Sequence, residues 1–354
     1  MEDRVEELRR SFGQEKMDGY LVANQINIQY FTGFLGGTRL LIPKDGDCVL
    51  YAPTVNYEAA KEYVKDIEIE PIRIGDDVNS KVASQVKRWG LRLIGFDLIE
   101  ASAYLKLREV IENADIEPAN KLVSSLRRVK DKEEQRRVRE ASKLTSLGMK
   151  RAFESIKAGM KERELASEIE YAMRRNGSDG TAFDSIVVSG VRSAFPHGGC
   201  GDQVIANGDL VVIDIGAKYQ SYCSDLTRTV VVGETSPKHE DLYSIVLSAQ
   251  DEAMRQIKPG VEARIVDAKA RDLIKKHGYG EYFVHSLGHG VGLEVHELPT
   301  LSLKSEERLE VGNVVTVEPG IYIPGFGGIR IEDTVLVKED GYERLTEAPY
   351  TLRV

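Results

Sequence analysis

At 354 residues, 42% hydrophobic and 30% charged, the chain is long enough for about two domains and has the balance of a globular protein. A formal net charge of −9 argues against a nucleic-acid partner, because phosphate binding needs a basic face. No run of about 18 apolar residues occurs, the charged start lacks a signal peptide's apolar segment, and three cysteines (Cys48, Cys200, Cys223) stand in no paired spacing. The expectation is a cytoplasmic chain with no membrane partner.

Residues 2–17 read as a helix and 19–23 as a short strand. Residues 38–43 and 47–51 read as a hairpin around Lys44, Asp45 and Gly46. A helix at 56–65, a strand at 67–73, a helix at 77–89, a buried strand at 92–97 and a helix at 101–112 follow. Such alternation implies a mixed sheet covered by helices, and the segment offers shape rather than chemistry. A domain boundary is expected between 120 and 125, dividing the chain into 1–122 and 123–354. Residues 121–158 read as one long charged helix. Its basic run (Arg127, Arg128, Lys130, Lys132, Arg136, Arg137) is interleaved with Asp131, Glu133 and Glu134 and reads as a solvated face. Another helix spans 162–175, closed by Asn176 and Gly177. From 180 onward strand-like runs dominate, with a helical pair at 238–257 and 263–277 and no short-period repeat. The expected fold class is α/β (α+β), a small mixed-sheet domain followed by a larger one.

Five ionisable residues sit on apolar or glycine-rich runs, where an unpaired charge is expensive to bury. Asp214 lies in Leu210–Gly216 and Asp225 in Tyr222–Val232, close enough for their strands to pair and set two carboxylates on one face. His289 lies between Gly288 and Gly290, Glu318 precedes Pro319 and Gly320, and Glu332 follows Arg330 on a strand-like run. Period two puts Arg330, Glu332 and Thr334 on one strand face, and Asp225 with Thr227 on another. Like charges so close repel unless a cation separates them. Four carboxylates and an imidazole suit Mn²⁺, Co²⁺, Fe²⁺ or Zn²⁺, and two ions bridged by carboxylates would use them all.

The segments carrying these residues, 214–217, 222–229, 285–292, 316–322 and 328–334, resemble the motif set of the pita-bread metallopeptidases. That family holds methionine aminopeptidases, prolidases and aminopeptidase P. The motifs cover about 200–334, and the layout, with an N-terminal creatinase/prolidase-like domain, is similar to the proline-specific branch. A methionine aminopeptidase usually lacks an N-terminal domain of this size, and a non-catalytic peptide-binding relative would have lost ligands. The resemblance implies a pita-bread catalytic domain and a homodimer. It also implies two divalent ions, Mn or Co first and Zn or Fe next, held by Asp214, Asp225, His289, Glu318 and Glu332. By the same resemblance His197 contacts substrate near the scissile bond, His296 hydrogen-bonds the substrate carbonyl or tetrahedral intermediate, and His285 lines a proline pocket. The implied reaction is hydrolysis of an N-terminal Xaa–Pro bond. In it Glu318 acts as general base and proton shuttle, Arg330 steadies a ligand carboxylate, and Thr227 does the same for Asp225. Tyr322 and Phe195 are candidate pocket walls. His239 and His277 are assigned to structure.

The similar prolidases carry an arginine just after the His-Glu-aromatic-Pro motif, where a dipeptide's free carboxylate needs a cation. Here that position is Thr300, which offers no bidentate clamp. The expectation therefore leans toward an Xaa-Pro aminopeptidase, with an Xaa-Pro dipeptidase (prolidase) as the alternative. In the alternative, Lys304, Arg308 or a partner subunit's Arg39 would replace the missing charge.

Overall fold

The computed structural model describes residues 2–354, and the chain divides into two compact units, Met1–Leu126 and Arg127–Val354. The division falls in the helix Asn120–Arg128, which also holds the expected boundary after residue 122. Among the described residues no helix is long and apolar enough to cross a membrane.

The first unit is a six-stranded mixed sheet. Its order is Glu68–Ile72, Val49–Pro53, Arg39–Pro43, Gly19–Val22, Leu93–Phe96, Asp115–Pro118. The hairpin of Arg39–Pro43 and Val49–Pro53 is antiparallel, and the three crossover pairs are parallel. Buried Leu21, Leu41, Tyr51, Ile94 and Phe96 meet Val82, Val86 and Leu107 from the helices Val78–Trp89 and Ala101–Val110. Two elements were not anticipated. The helix Gln25–Thr32 is short, but Asn24 caps its start by accepting from the amides of Ile26 and Asn27, and Gly33 ends it at φ 72°. The edge strand Asp115–Pro118 has one buried residue, Ile116, too weak a pattern to stand out in sequence.

The expected single helix over 121–158 is two, Asn120–Arg128, in which the division falls, and Lys132–Ser155 in the second unit. Asp131 starts the second with a capping box to Glu134. The expected solvated basic face is also corrected. Arg127 and Lys130 are 7% and 2% exposed, and both pair with buried Glu297, with Lys130 Nζ at 2.9 Å. Pairing with Glu297 offsets the desolvation cost of turning this segment inward, and Lys130 lies in the break between the two helices. Arg136 and Arg137, on Glu133, do face solvent.

This unit repeats one plan twice. Gly159 donates to the Ile205 carbonyl and Ile205 to Met160; likewise Gly260 donates to Leu309 and Leu309 to Val261. Each tie precedes a helix, Glu162–Arg175 or Ala263–Lys276, packed on a longer one, Lys132–Ser155 or Pro237–Met254. Each half then pairs two antiparallel strands, Leu210–Ile215 with Leu226–Val231 and Val314–Val317 with Asp333–Lys338. Each half buries its own core of helix and strand side chains. The segment joining Leu210–Ile215 to Leu226–Val231 is itself a small strand pair, Ala217–Tyr219 with Tyr222–Cys223.

Removing one member of a buried ion cluster leaves the others uncompensated, at a cost of about 3–5 kcal/mol. Glu297→Gln is accordingly expected to lower the stability of the whole protein by about that amount, read from the midpoint of denaturant unfolding.

Candidate metal centre

Asp214 is carried inside the fully buried strand Leu210–Ile215, with Thr227 directly across the pair, and Asp225 lies one residue before the partner strand begins. Glu318 and Glu332 occupy two breaks. One lies between the strands Val314–Val317 and Gly320–Ile323, the other between Gly327–Arg330 and Asp333–Lys338. Pro319, which cannot donate to a ladder, follows the first break. His289 sits in Gly288–Gly290, squeezed between Glu297–Leu301 and Val314–Val317. A Cβ at Gly288 would lie 2.1 Å from the Thr316 carbonyl oxygen, and one at Gly290 2.2 Å from that of Leu298. Only glycine lets these backbones close around the imidazole.

The five side chains converge. His289 Nε2 lies 3.2 Å from Glu318 Oε1 and 3.7 Å from Asp225 Oδ2. Asp225, His289 and Glu332 each offer a ligand atom, all within 4.8 Å of one another. The His289 Nδ1 donates to the Gly290 carbonyl at 3.1 Å, which leaves Nε2 as the nitrogen that faces the acids. Arg330 Nη2 donates to Asp214 Oδ2 at 2.5 Å, and Thr227 Oγ1 donates to Glu332 Oε2 at 2.6 Å. Thr227 thus serves Glu332 rather than Asp225, because Glu332 crosses to it at the strand break. Thr334, expected to line Glu332's face, instead donates to the Asp225 carbonyl at 2.7 Å.

Three carboxylate oxygens, Asp214 Oδ1, Asp225 Oδ1 and Glu332 Oε1, are buried without any hydrogen-bond partner. Burial, and then the neighbouring acids, push Asp225 and Glu332 well above the usual carboxylate range. Burial also works to raise Glu318, but His289, His285 and Arg330 outweigh it and hold it down, at about 2. His289 is raised despite its burial, chiefly through Glu318. Orphaned oxygens on crowded acids beside a histidine whose Nε2 faces them fit a divalent cation, which would satisfy the oxygens and cancel the repulsion.

A second layer surrounds these groups. Tyr322 donates to His285 Nε2 at 2.9 Å, His285 Nδ1 donates to the Ser286 carbonyl at 2.8 Å, and Arg330 Nη1 donates to Tyr322 Oη at 2.8 Å. His285 is lowered by burial. His296 packs its ring against His289, centroids 4.2 Å apart, and is lowered by burial and by His289. His197 is exposed on the loop after Ile186–Ser189, and Phe195 beside it is 59% exposed. His277 caps the helix Ala263–Lys276, and His239 joins the capping box of Pro237–Met254.

Sequence reasoning passed over the buried support. Arg228, 1% exposed, donates to the backbone carbonyls of Thr227 and Glu332 and pairs with Asp333 at 3.1 Å. Tyr350 stacks under Arg228 at 4.3 Å and donates to Asp333. An arginine in mid-strand and an aspartate opening an apolar strand were the available signal.

A match to the model for metallopeptidase family M24 runs over residues 136–339, and one to the creatinase/prolidase N-terminal domain over residues 4–129. The chain belongs to metallopeptidase family M24. It is 41% identical to an Xaa-Pro dipeptidase of Pyrococcus furiosus over 98% of both chains. Among solved structures it resembles an Xaa-Pro dipeptidase from Bacillus anthracis, with a TM-score of 0.95 at 40% identity over 99% of each chain. It also resembles an X-Pro aminopeptidase from Thermotoga maritima, with a TM-score of 0.88 at 37% identity over 98% of this chain and 100% of that one. This M24 chain is therefore a metallopeptidase of mixed α/β fold with the two-domain layout of the prolidase structures.

The raised groups set the pH response of the metal-free protein. Asp225, Glu332 and His289 all hold protons in the folded state at pH values where the unfolded chain has released them. His239, His285 and His296, which are lowered, oppose this, but Asp225 and Glu332 are raised well above their ordinary values, so folding binds protons and stability falls as pH rises. Chelator-stripped protein is expected to gain thermal stability between about pH 8 and about pH 5.5, and saturating Mn²⁺ to raise the midpoint at pH 8 and flatten the slope. Calorimetry with and without metal checks this.

Proposed function

We propose that this chain is a dinuclear Xaa-Pro dipeptidase that uses Mn²⁺ or Co²⁺. The observation that carries the reading is similarity along the whole chain to proteins named as Xaa-Pro dipeptidases. The orphaned oxygens of Asp214, Asp225 and Glu332 support the metal half of it.

Asp214, Asp225, His289, Glu318 and Glu332 would hold the ions. The ions would supply Lewis acidity, lowering the pKa of water and polarising the scissile carbonyl. Glu318, kept ionised by His289, His285 and Arg330, is the candidate general base, taking the proton of the attacking water and passing it to the leaving proline nitrogen. In this reading His296 would donate a hydrogen bond to the developing oxyanion, and His197 would contact the substrate near the scissile bond. Arg330 holds Asp214 and bonds Tyr322, which bonds His285, and in this reading His285 would line the pocket for the proline ring. A tertiary amide has no N–H for a peptidase to bind, so recognition falls to the ring.

The aminopeptidase preference expected from Thr300 yields here to the dipeptidase reading. Thr300 itself stays a specific observation in favour of the second reading, an Xaa-Pro aminopeptidase, which the T. maritima structure also supports. Of the cations weighed as replacements for the missing arginine, Arg308 is already committed to Glu262 and the Gly260 carbonyl. Lys304 is exposed.

Ala-Pro and Ala-Pro-Ala, offered to chelator-stripped protein with Mn²⁺ or Co²⁺ restored, decide between these. Preferred cleavage of Ala-Pro is expected, with no turnover before metal is returned. Preference for Ala-Pro-Ala would establish the aminopeptidase, and failure to cut either peptide with metal bound would overturn proline specificity. Glu318→Gln is expected to lower kcat by roughly 10²–10⁴-fold.

A further inference from the structure

The loop carrying His197 has little packing of its own: His197 is exposed, Phe195 is 59% exposed, and Gly198 and Gly199 follow. Such a segment takes its position from its anchors. Its two ends close on one side chain outside the metal centre. Glu162, the first residue of the helix Glu162–Arg175, is fully buried. Its Oε1 accepts from the Ser189 amide at 2.8 Å and the Ser189 hydroxyl at 3.0 Å. Its Oε2 accepts from the Gly201 amide at 3.0 Å and pairs with Arg192. The second Nη of Arg192 donates to the Gly199 carbonyl at 2.9 Å.

A buried carboxylate is costly unless its lone pairs are used, and the partners of this one all belong to residues 189–201. Its place at a helix start adds favourable dipole field. The middle of the loop is tied to the other side. The Pro196 carbonyl accepts from Arg330 Nη1 at 3.3 Å while Arg330 Nη2 holds Asp214, and the Gly328 amide donates to Ser193 at 2.8 Å. His197 thus follows a residue tied to the metal-centre arginine, on a loop whose ends Glu162 pins from behind.

We propose that Glu162, with Arg192, is a positioning pair for His197, and that turnover depends on the ionised carboxylate holding both ends of the 189–201 loop. The proposal rests on His197 acting at the substrate. Glu162→Gln keeps the size of the side chain but sets an amide against donors. Arg192→Gln removes the half-exposed partner and serves where the buried change prevents folding.

The test is a double-mutant cycle with His197→Ala on the metal-loaded protein, with hydrogen exchange of the 190–201 amides in parallel. Each clamp variant is expected to lower kcat by about 10–100-fold with a smaller change in KM. In the His197→Ala background the further loss should shrink to under about 3-fold, because both changes act through one group. Exchange should quicken in 190–201 and not in the strands of the metal centre. An equal loss in both backgrounds, or unchanged kcat, overturns the proposal, and so does a His197→Ala protein as active as the parent. A parent protein that cuts neither Ala-Pro nor Ala-Pro-Ala sinks the Xaa–Pro reading instead. Exchange then decides the clamp, and unchanged protection of 190–201 in Glu162→Gln overturns it.

Discussion

Four carboxylates brought together out of water repel one another, and most of the second unit is arranged around that repulsion. Asp225 and Glu332 are pushed toward protonation, and three acid oxygens find no donor among the described residues. Among the described residues, Asp214 alone of the four accepts a hydrogen bond from an arginine, while Glu332 and Glu318 each accept from a threonine hydroxyl. The fold thus holds its acids in a state that is unfavourable by itself and that a divalent cation relieves. The strain resides in the site and is countered by the packed strands on either side.

The repeated plan explains how one chain assembles such a cluster. Each half pairs two strands, and an acid stands in or just beyond one of them and just before the other. Packing the halves together brings Asp214 and Asp225 to Glu318 and Glu332. The halves then diverge. The second brings the imidazole, with glycine on both sides because the neighbouring carbonyls leave no room for a Cβ. The first brings the exposed loop with His197, held by Glu162. Behind both, Arg228 joins the carbonyls of Thr227 and Glu332 to Asp333 and Tyr350, so the C-terminal segment braces a strand of the candidate metal centre.

Much of this was legible before any coordinates. A helix that buries one stripe announces itself by period, so Glu162–Arg175 and Val78–Trp89 fall almost where the pattern put them. Charged residues on apolar runs announced the acids, because an unpaired buried charge needs a reason. Where the reading failed, the deciding partner lay far away in sequence. Lys130 and Arg127 read as solvent-facing because nothing nearby shows that Glu297, about 170 residues on, draws them inward. Thr227 was given to Asp225, its neighbour by strand period, when a strand break brings Glu332 to it. The repeat escaped because its period is about a hundred residues, although Gly208–Gly216 and Gly312–Gly320 carry matching runs toward Asp214 and Glu318.

Residue type and spacing by themselves determined the class of chemistry here: acids and one histidine, on segments that bury them, call for a divalent cation. They also determined most helices and strands, since periodicity is a local property. Tertiary structure decided which atoms face each other. It aimed Nε2 of His289 at the acids, paired Arg330 with Asp214, turned Lys130 inward and tied the His197 loop to Glu162. Each is a contact between residues distant in sequence or a matter of local geometry, and a hydrogen bond falls off within tenths of an ångström. Spacing along the chain carries no information at that scale.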